Sequence, residues 1–371
     1  MLKKEINLID YSIFDKKYKN IIVTGGLGFI GSALIFRLLN ETNAKIFNID
    51  KSTQKNNLLS VNYQLSNLGN SKYQFLNFDL NNKKDLNKLF KDSDPDIVFH
   101  LAAESHVDRS IQSPRNFLES NIVGTYNLLE ETLEHFKNIS IKRKSHFKFL
   151  HISTDEVFGS LENSGLFDEK SNYKPKSPYS ATKAASDHLV DSWFHTFGLP
   201  TLVSNCSNNY GPRQFPDKLI PNIIINAINS KSIPIYGNGL NIRDWLFVDD
   251  HINALLLMAS KGKPGSHYCI GGSEEKSNIN LCKKICKILD DLKPQKTSYS
   301  SLIKFVDDRP GHDFRYGIDS SLINRDLGWE PFYQFDQSIE ETIIWYLRNL
   351  DWVEFVKQDS GYQGERLGIL N

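Results

Sequence analysis

A glycine-rich turn near the N-terminus is the feature that most constrains the fold. A short β-branched run, Asn20–Thr24, precedes it, and an apolar-periodic helix is predicted after it, through Leu39. Gly26, Gly28 and Gly31 satisfy the G-x-G-x-x-G pattern, and Gly25 extends it to G-x-x-G-x-x-G. Such glycines allow a tight turn and close approach of the backbone to a pyrophosphate, while the helix N-terminus offers N–H donors. Strand, turn and helix together predict a dinucleotide site.

An acidic residue supports this prediction. Asp50 ends the second predicted strand, about 20 residues after the glycine turn, where a carboxylate can bind ribose hydroxyls. The same charge repels a 2′-phosphate, which favours NAD over NADP, although the neighbouring Lys51 works against that preference. Asp79 and Leu80 follow the third strand and are expected near the adenine.

Short apolar runs alternate with stretches of helical period along most of the chain. This alternation predicts an α/β fold, a Rossmann-like doubly wound parallel sheet with a smaller discontinuous C-terminal substrate domain. The predicted strands are 20–24, 45–49, 73–78, 96–101, 147–152 and 199–204, with 266–270 added later to the same sheet. The predicted domains are an extension that packs on the surface or frays (1–19), the NAD-binding domain (20–208, with a segment returning at about 248–271) and the substrate domain (209–247 and 272–371).

Charge and cysteine content exclude several classes of function. Lys+Arg and Asp+Glu are both 44, so nothing in the net charge favours nucleic acid or a membrane surface as partner. We find neither a signal peptide nor an apolar run of membrane-spanning length, so a cytoplasmic protein is expected. The four cysteines lack zinc-site spacing and are too sparse for a disulfide framework, so no metal is expected. Cys282 and Cys286, one helical turn apart, should lie on a buried helix face.

A cluster of polar residues follows the predicted strand 147–152. Thr154, Asp155 and Glu156 place one hydroxyl and two adjacent carboxylates at the edge of the sheet, where α/β enzymes bind ligands. Adjacent carboxylates disfavour joint ionisation, so their surroundings can separate their pKa values and leave one acid and one base.

A tyrosine and a lysine stand four positions apart further along the chain. Tyr179 and Lys183 would share one face of a helix. A nearby ammonium and a nicotinamide cation both favour phenolate and lower the tyrosine pKa toward neutrality, so the phenol could accept a hydroxyl proton.

Taken together, these motifs resemble the extended short-chain dehydrogenase/reductase family, and within it the sugar-nucleotide 4,6-dehydratases. The resemblance covers nearly the whole chain from about residue 20. Phe158 stands where the family usually has tyrosine, and Arg213 replaces a common aromatic, which places an extra cation near the expected substrate entrance. The matching segments are 25–32, Asp50, 100–110, 153–159, 179–183, 208–212, 218–221, 243–245, 308–312 and 362–366.

The resemblance implies an NAD-dependent hydro-lyase that converts dTDP-glucose into dTDP-4-keto-6-deoxyglucose. Tyr179, assisted by Lys183, would remove the C4 hydroxyl proton as hydride leaves C4 for NAD. Glu156 would take the C5 proton, and Asp155 would protonate the departing C6 hydroxyl. Thr154 would hydrogen-bond the C4 oxygen, and hydride would return to C6.

The resemblance also implies two sets of binding residues. The cofactor set is Gly25, Gly28, Phe29, Ile30, Gly31, Asp50, Lys51, Ser52, Thr53, Asp79, Leu80, Leu101, Ala102, Ala103, Glu104, Ser105, Ser120, Tyr179, Lys183 and Asn209. The substrate set is Ser105, Thr154, Asn208, Lys218, Leu219, Pro234, Tyr236, Arg243, Asn278, Asp308, Arg309 and His312. Lys218, Arg243 and Arg309 are cations that can neutralise a diphosphate.

Other functions stay open at this point. The chain could act on UDP- or CDP-glucose, or be a sugar-nucleotide epimerase or decarboxylase, although epimerisation needs no acid at C6. It could also be an NAD-binding regulatory scaffold, but it retains the tyrosine, the lysine and both carboxylates. Helices predicted at 121–136 and 180–197 are apolar over wide faces, which favours a homodimer formed through a helix bundle. The alternative is that both helices bury these faces within one subunit.

Overall fold

The computed structural model describes residues 9–51, 59–69 and 71–362. Its strands are β1 (Asn20–Thr24), β2 (Lys45–Asp50), β3 (Tyr73–Asn77), β4 (Ile97–His100), β5 (Lys148–Thr154), β6 (Thr201–Cys206), β7 (Asn208–Tyr210), β8 (Ile233–Tyr236), β9 (Ile242–Phe247), β10 (His267–Ile270), β11 (Glu275–Ser277) and β12 (Ile303–Val306).

The helices are α1 (Tyr11–Lys17), α2 (Phe29–Glu41), α3 (Val61–Leu68), α4 (Lys83–Ser93), α5 (Val107–Gln112), α6 (Pro114–Phe117), α7 (Gly124–Asn138), α8 (Ile141–Lys144), α9 (Pro178–Phe197), α10 (Leu219–Ile228), α11 (Val248–Lys261), α12 (Asn278–Leu292), α13 (Ser321–Leu327), α14 (Phe335–Arg348) and α15 (Leu350–Ser360). A π-helical segment, Leu118–Val123, leads into α7, and 3₁₀ turns span Asp155–Phe158 and Tyr299–Leu302. Within the described part of the chain, no helix combines the length and the apolar character needed to cross a membrane.

A seven-stranded parallel sheet forms the centre of the molecule, in the order β10-β6-β5-β4-β1-β2-β3. Neighbouring residues of β1 face opposite sides: Ile21 packs with α2 and α11, whereas Ile22 packs with α4, α7 and α9. Both faces are therefore covered, which confirms the predicted Rossmann-like fold. The strand predicted near 266–270 joins this sheet, since His267 pairs with Val203.

The strand order reverses between β1 and β4, and this reversal locates the site. β1 continues to β2 on one side, while β4 lies against its other side. At such a point the loops leave the sheet in opposite directions and open a crevice at the carboxyl ends of the strands. The glycine turn follows β1 directly, so it lies at this crevice.

The segment before β1 belongs to the main core. Asp10 caps α1, because its Oδ1 accepts hydrogen bonds from the backbone N–H groups of Ser12 (3.0 Å) and Ile13 (3.2 Å). Phe14 and Tyr18 are fully buried, and the Tyr18 hydroxyl donates to the carbonyl oxygen of Ala259 at 2.7 Å. The described residues from Ile9 onward therefore pack against the main core, and the assignment of 1–19 as a separate extension stays a prediction.

The remaining strands and helices build a second core beyond the carboxyl edge of the main sheet. β7, β9 and β11 form one small sheet, and β8 pairs with β12. Apolar side chains of α10, α12, α14 and α15 pack together there, and among them Cys282 and Cys286 are fully buried, as predicted. The assignment of 209–247 and 272–371 to a substrate domain stays a prediction.

Candidate active site

Two adjoining pockets occupy the crevice at the carboxyl edge of the main sheet. The first pocket encloses about 540 Å³ at the ends of β1, β2, β4 and β5. The second pocket, of about 250 Å³, lies between α5, α10, β8 and the loop 308–312. Asn208 and Lys218 line both pockets, so a ligand in the second pocket can reach a ligand in the first.

The glycines of the turn are needed for different structural reasons. Gly25 has φ +72°, and a Cβ there would lie 2.6 Å from the backbone nitrogen of Ala102. A Cβ on Gly31 would overlap the carbonyl oxygen of Gly25 and lie 2.8 Å from Cα of Gly26. A Cβ on Gly28 would approach only the Gly25 carbonyl oxygen, at 3.2 Å, although Gly28 lines the first pocket. Gly31 is thus required for packing, and Gly28 leaves room for a ligand.

Substitution of these two glycines should separate folding from cofactor binding. We expect Gly31→Ala to lower the free energy of unfolding by about 3 kcal/mol, because the backbone atoms that meet the new methyl group cannot move aside. Gly28→Ala should keep near wild-type stability but bind NAD at least about tenfold more weakly, since its methyl group occupies the space of the pyrophosphate. Urea denaturation and calorimetric titration with NAD measure the two effects. Equal losses of stability in both variants would contradict this division.

Asp50 stabilises the glycine turn through a hydrogen bond and lies where the ribose is expected. One Asp50 oxygen, Oδ2, accepts a hydrogen bond from the backbone of Leu27 at 2.9 Å. Burial raises the pKa of Asp50, while its backbone hydrogen bonds act in the opposite direction. Lys51 Nζ lies 3.4 Å from Asp79 and 3.6 Å from Glu104, so two carboxylates match its charge. Lys51 is therefore already paired with carboxylates, and the residues present fit NAD.

The predicted cofactor residues lie around the first pocket. All of those in the described part of the chain line the first pocket, whereas Ser52 and Thr53 lie outside the described residues. Further residues line this pocket that the sequence did not predict. Most of them are direct neighbours of predicted residues in the chain, and this proximity could have identified them. They are Leu27, Ile49, Phe78, Ile152, Ser153, Cys206, Ser207, Gln214 and Phe215.

The end of β5 presents the hydroxyl and the two carboxylates. Thr154 caps the 3₁₀ turn that follows, because its Oγ1 accepts a hydrogen bond from the backbone of Glu156 at 3.3 Å. Its hydroxyl lies 3.2 Å from Asp155 Oδ1. Phe158, one turn further on, stacks on Phe167 with ring centroids 5.2 Å apart, so this departure from the family pattern only packs. The backbone turn fixes the two carboxylates in different surroundings.

These surroundings separate the two acids. Burial raises the pKa of Asp155 well above its ordinary value, and the charges of Glu156 and Asp244 add to this effect. Burial also raises the pKa of Glu156, but there the cations Arg309, Arg243 and Lys218, which all line the second pocket, oppose it. These surroundings favour the protonated form of Asp155, which a proton donor needs, and Glu156 is the carboxyl that ionises more readily.

Tyr179 and Lys183 lie on the first turns of α9, facing the end of β5. Ser177 and Ser180 form a capping box that fixes where the helix begins. Lys183 Nζ donates to the carbonyl oxygen of Ile152 at 2.8 Å. Burial and the charge of Glu156 raise the pKa of the Tyr179 phenol well above its ordinary value, whereas the sequence predicted a lowered pKa. The phenol therefore needs positive charge beside it before it can act as a base.

Cations surround the second pocket. The Arg243 guanidinium donates to the carbonyl oxygens of Ile242 (2.7 Å) and Asp313 (3.1 Å) and lies over the Tyr316 ring at 4.4 Å. Lys218 Nζ donates to the carbonyl oxygen of Ser105 at 3.2 Å. Because these acceptors are mostly neutral carbonyls, much of the positive charge stays available for an anionic ligand such as a diphosphate.

The predicted substrate residues divide among the two pockets and the loop beside them. Ser105 and Thr154 line the first pocket, and all the others except Asp308 line the second. Asp308 instead holds the loop, since its Oδ1 accepts from the Arg309 backbone at 2.8 Å and lies 2.6 Å from His312 Nδ1. The sequence did not predict several residues that line the second pocket, although 106–108, Trp245 and Tyr362 stand inside motifs quoted above. These lining residues are His106, Val107, Asp108, Asp217, Asn222, Ile235, Trp245 and Tyr362.

Arg213 is not at the substrate entrance, contrary to the expectation from the sequence. Its guanidinium lies over the ring of Phe36 at 4.5 Å and faces that of Trp345 at 5.6 Å. It lines neither pocket. The cation thus joins α2 to α14 through aromatic contacts, and its Nη2 donates to Gln64 Oε1 at 3.4 Å.

Comparison with known proteins assigns the family. A family model described as GDP-mannose 4,6 dehydratase matches residues 22–342. The probable dTDP-glucose 4,6-dehydratase of Sinorhizobium fredii is 50% identical over 350 residues, which are 94% of this chain and 99% of that protein. The chain belongs to the dTDP-glucose 4,6-dehydratase family. A further member, from Escherichia coli, is 50% identical over 363 residues, with the same shares of the two chains covered.

Solved structures that are similar to this chain include members of the same family. A dTDP-glucose 4,6-dehydratase from Bacillus anthracis, in complex with NAD, is 37% identical, with a TM-score of 0.78 over 91% of this chain and 99% of that one. A dTDP-glucose 4,6-dehydratase from Streptomyces venezuelae, with NAD and TYD bound, is 35% identical, with a TM-score of 0.81 and the same coverage. A UDP-glucuronic acid 4-epimerase from Bacillus cereus is similar at 29% identity and a TM-score of 0.76, over 88% of this chain and 99% of that one. The fold is therefore shared by dehydratases and epimerases.

Proposed function

We propose that the chain dehydrates dTDP-glucose to dTDP-4-keto-6-deoxyglucose, with NAD as resident cofactor. The observation that carries the proposal is the pair of acids at the end of β5, Asp155 with a raised pKa and Glu156 facing cations, beside Tyr179 and Lys183. An epimerase of this fold has no use for a buried proton donor next to a base. Relatives named for this reaction, at 50% identity, support the same conclusion.

Bound NAD supplies the hydride acceptor for C4 and the hydride donor for C6. The chain's own residues move the protons. Tyr179 accepts the C4 hydroxyl proton, with the charge of Lys183 favouring the phenolate, and Thr154 hydrogen-bonds the C4 oxygen. The resulting ketone acidifies C5, whose proton Glu156 takes. Asp155 gives its proton to the C6 hydroxyl, which leaves as water, and C5 is reprotonated as hydride returns to C6.

The sugar nucleotide is held by the second pocket. Lys218, Arg243 and Arg309 bind the diphosphate, and Pro234 and Tyr236 contact the base. This arrangement also gives the proposed role of the substrate domain, because β8, β9 and the loop 308–312 supply four of these five residues. The cytoplasmic location predicted from the sequence stays a prediction.

Direct conversion assays test the function. Purified protein is incubated with dTDP-glucose, UDP-glucose and CDP-glucose in turn, and the 4-keto product is followed by its absorbance in alkali and by mass spectrometry. We expect turnover of dTDP-glucose to exceed that of the other two at least about tenfold. A 4-epimer as product would favour the epimerase alternative. No product from any of the three sugars, with NAD bound, would refute the proposal.

We also propose a homodimer formed through α7, α9 and the π-helical segment before α7. Leu118 and Phe197 are about half exposed (49% and 48%), and Val123 and Tyr126 also reach the surface. Tyr126 and Phe197 both make edge contacts with Trp193, so the apolar stripe continues from one helix to the other. A continuous apolar stripe on two adjacent helices fits a self-complementary four-helix contact.

Sedimentation equilibrium tests the dimer. We expect wild type to sediment as a dimer, and Tyr126→Glu to weaken association at least about tenfold, because it buries a charge in the apolar stripe. Ile141→Glu is the matched control, since Ile141 is 87% exposed and lies outside the stripe. Monomeric wild-type protein would contradict the proposal.

A further inference from the structure

A buried polar cluster lies directly behind Lys183, and the reaction described above does not use it. Asp187 follows Lys183 by one turn of α9, and His151 lies on β5; both are at most 1% exposed. Three groups meet at one nitrogen, His151 Nε2: Lys183 Nζ at 3.3 Å, Asp187 Oδ1 at 3.2 Å and Ser186 Oγ at 3.2 Å. Since this nitrogen cannot donate and accept at once, the protonation states of the three ionisable groups depend on one another.

The Asp187 carboxylate is fixed in one orientation. Its Oδ2 accepts hydrogen bonds from Ser153 Oγ and Tyr173 OH, both at 2.8 Å, and from Asn205 Nδ2 at 3.2 Å. Burial opposes its ionisation, but the hydrogen bond and charge of His151, and the charge of Lys183, outweigh burial and lower the pKa of Asp187. A buried carboxylate with three donors on one oxygen is an anion held in place.

We propose that Asp187, acting through His151, is the counter-ion that keeps Lys183 charged and fixed at the floor of the first pocket. Asp187 and His151 are then positioning residues, since neither lines a pocket. The inference rests on the proposed function, in which the lysine charge favours the Tyr179 phenolate. It explains why a strand that needs only apolar residues to pack carries a histidine in its middle.

The charge argument follows from burial. Lys183 is 3% exposed, and burial lowers its pKa to about 8, against which the charge of Asp187 acts. Without that charge, the lysine would lose its proton at a lower pH, and Tyr179 would lose the cation that offsets its own burial. The titratable and polar groups that face the cluster come from α9 (Tyr179, Lys183, Ser186, Asp191), β5 (His151, Ser153), β4 (His100), β6 (Asn205, Cys206), β10 (His267) and the segment before α9 (Tyr173).

The test is the pH profile of Asp187→Asn in the NAD-loaded enzyme. An asparagine oxygen can keep the three donated hydrogen bonds, so the change removes charge and little else. We expect the basic limb of kcat/KM for dTDP-glucose to move down by about one pH unit, because the lysine pKa falls and the phenolate loses its cation at a lower pH. The profile thus narrows from its basic side, while the acid limb, KM and the melting temperature stay near wild type, because Lys183 is still protonated at low pH.

Asp191→Asn is the matched control. Asp191 lies one turn further along α9, is partly exposed and lies 2.6 Å from His267 Nε2, so its substitution removes an equal charge that does not contact Lys183 or His151 Nε2. We expect its pH profile to match wild type. A uniform loss of rate in Asp187→Asn, without displacement of either limb, would overturn the inference.

His151→Gln is a second variant, which tests the inference if Asp187→Asn does not fold. Its amide keeps a neutral donor near the carboxylate, so we expect the profile to narrow in the same sense but less. A wild-type profile in this variant, when it is the one that folds, refutes the inference. If the wild-type chain itself does not convert dTDP-glucose, the proposed function fails instead, and the two failures are distinguishable.

Discussion

Replacing Tyr179 with phenylalanine should reduce turnover of dTDP-glucose by about a thousandfold, because it removes the group that accepts the C4 hydroxyl proton. The aromatic ring stays, with its edge contact to Phe117 at a centroid distance of 6.3 Å, so the fold should be unchanged. Rapid-mixing absorbance, which follows the reduction of bound NAD, should show no reduced cofactor after substrate is added. Chemistry is then blocked at its first step.

A second tyrosine provides the control for this substitution. Tyr210 is also buried, but its hydroxyl lies 2.6 Å from Ser338 Oγ in the second core, outside both pockets. Tyr210→Phe should keep the rate and lose about 1 kcal/mol of stability. Reduced cofactor that still forms at the wild-type rate in Tyr179→Phe would show that another group accepts the proton.

Glu156→Gln should uncouple oxidation from elimination. The amide keeps the size of the side chain but cannot take the C5 proton, so we expect product formation to slow by about a hundredfold or more. Oxidation at C4 needs only Tyr179 and Lys183, so reduced cofactor should still form and then persist. The same rapid-mixing measurement, combined with product analysis, separates the two steps.

Exposed Glu162, which stands six positions further along the chain, is the control. Glu162→Gln removes the same charge outside both pockets, and we expect wild-type behaviour in both steps. If Glu156→Gln abolished cofactor reduction as well, the glutamate would act at C4, and the division of roles between Glu156 and Tyr179 would be wrong.

The local patterns were sufficient to predict the main sheet. Apolar runs of strand length alternate with helical stretches, and both faces of a parallel sheet must be covered, so the fold class followed without tertiary knowledge. Boundaries were less certain where polar residues continue a strand. The strand predicted to end at Ile152 continues through Thr154, because its pairing with β6 includes Ser153 and Thr154.

Site residues were predictable where a motif specifies a backbone or a charge. Gly25, Asp50 and Lys183 belong to such motifs, and the structure places all three on the first pocket. Asp217 and Asn222 reach the second pocket only through the packing of distant segments. No local pattern marks such residues, since their role depends on which chain segments meet.

The sequence by itself determined the cofactor turn, the acids at the strand end and the Tyr179–Lys183 spacing, since each depends on residues close together in the chain. Only the tertiary structure shows how the charged side chains are buried and paired. It shows that burial raises the pKa of Asp155, that Asp79 and Glu104 match the charge of Lys51, and that Arg213 lies between two aromatic rings. It also places Asp187 and His151 behind Lys183. Burial and long-range charge act through space, so they become known only when distant segments of the chain are brought together.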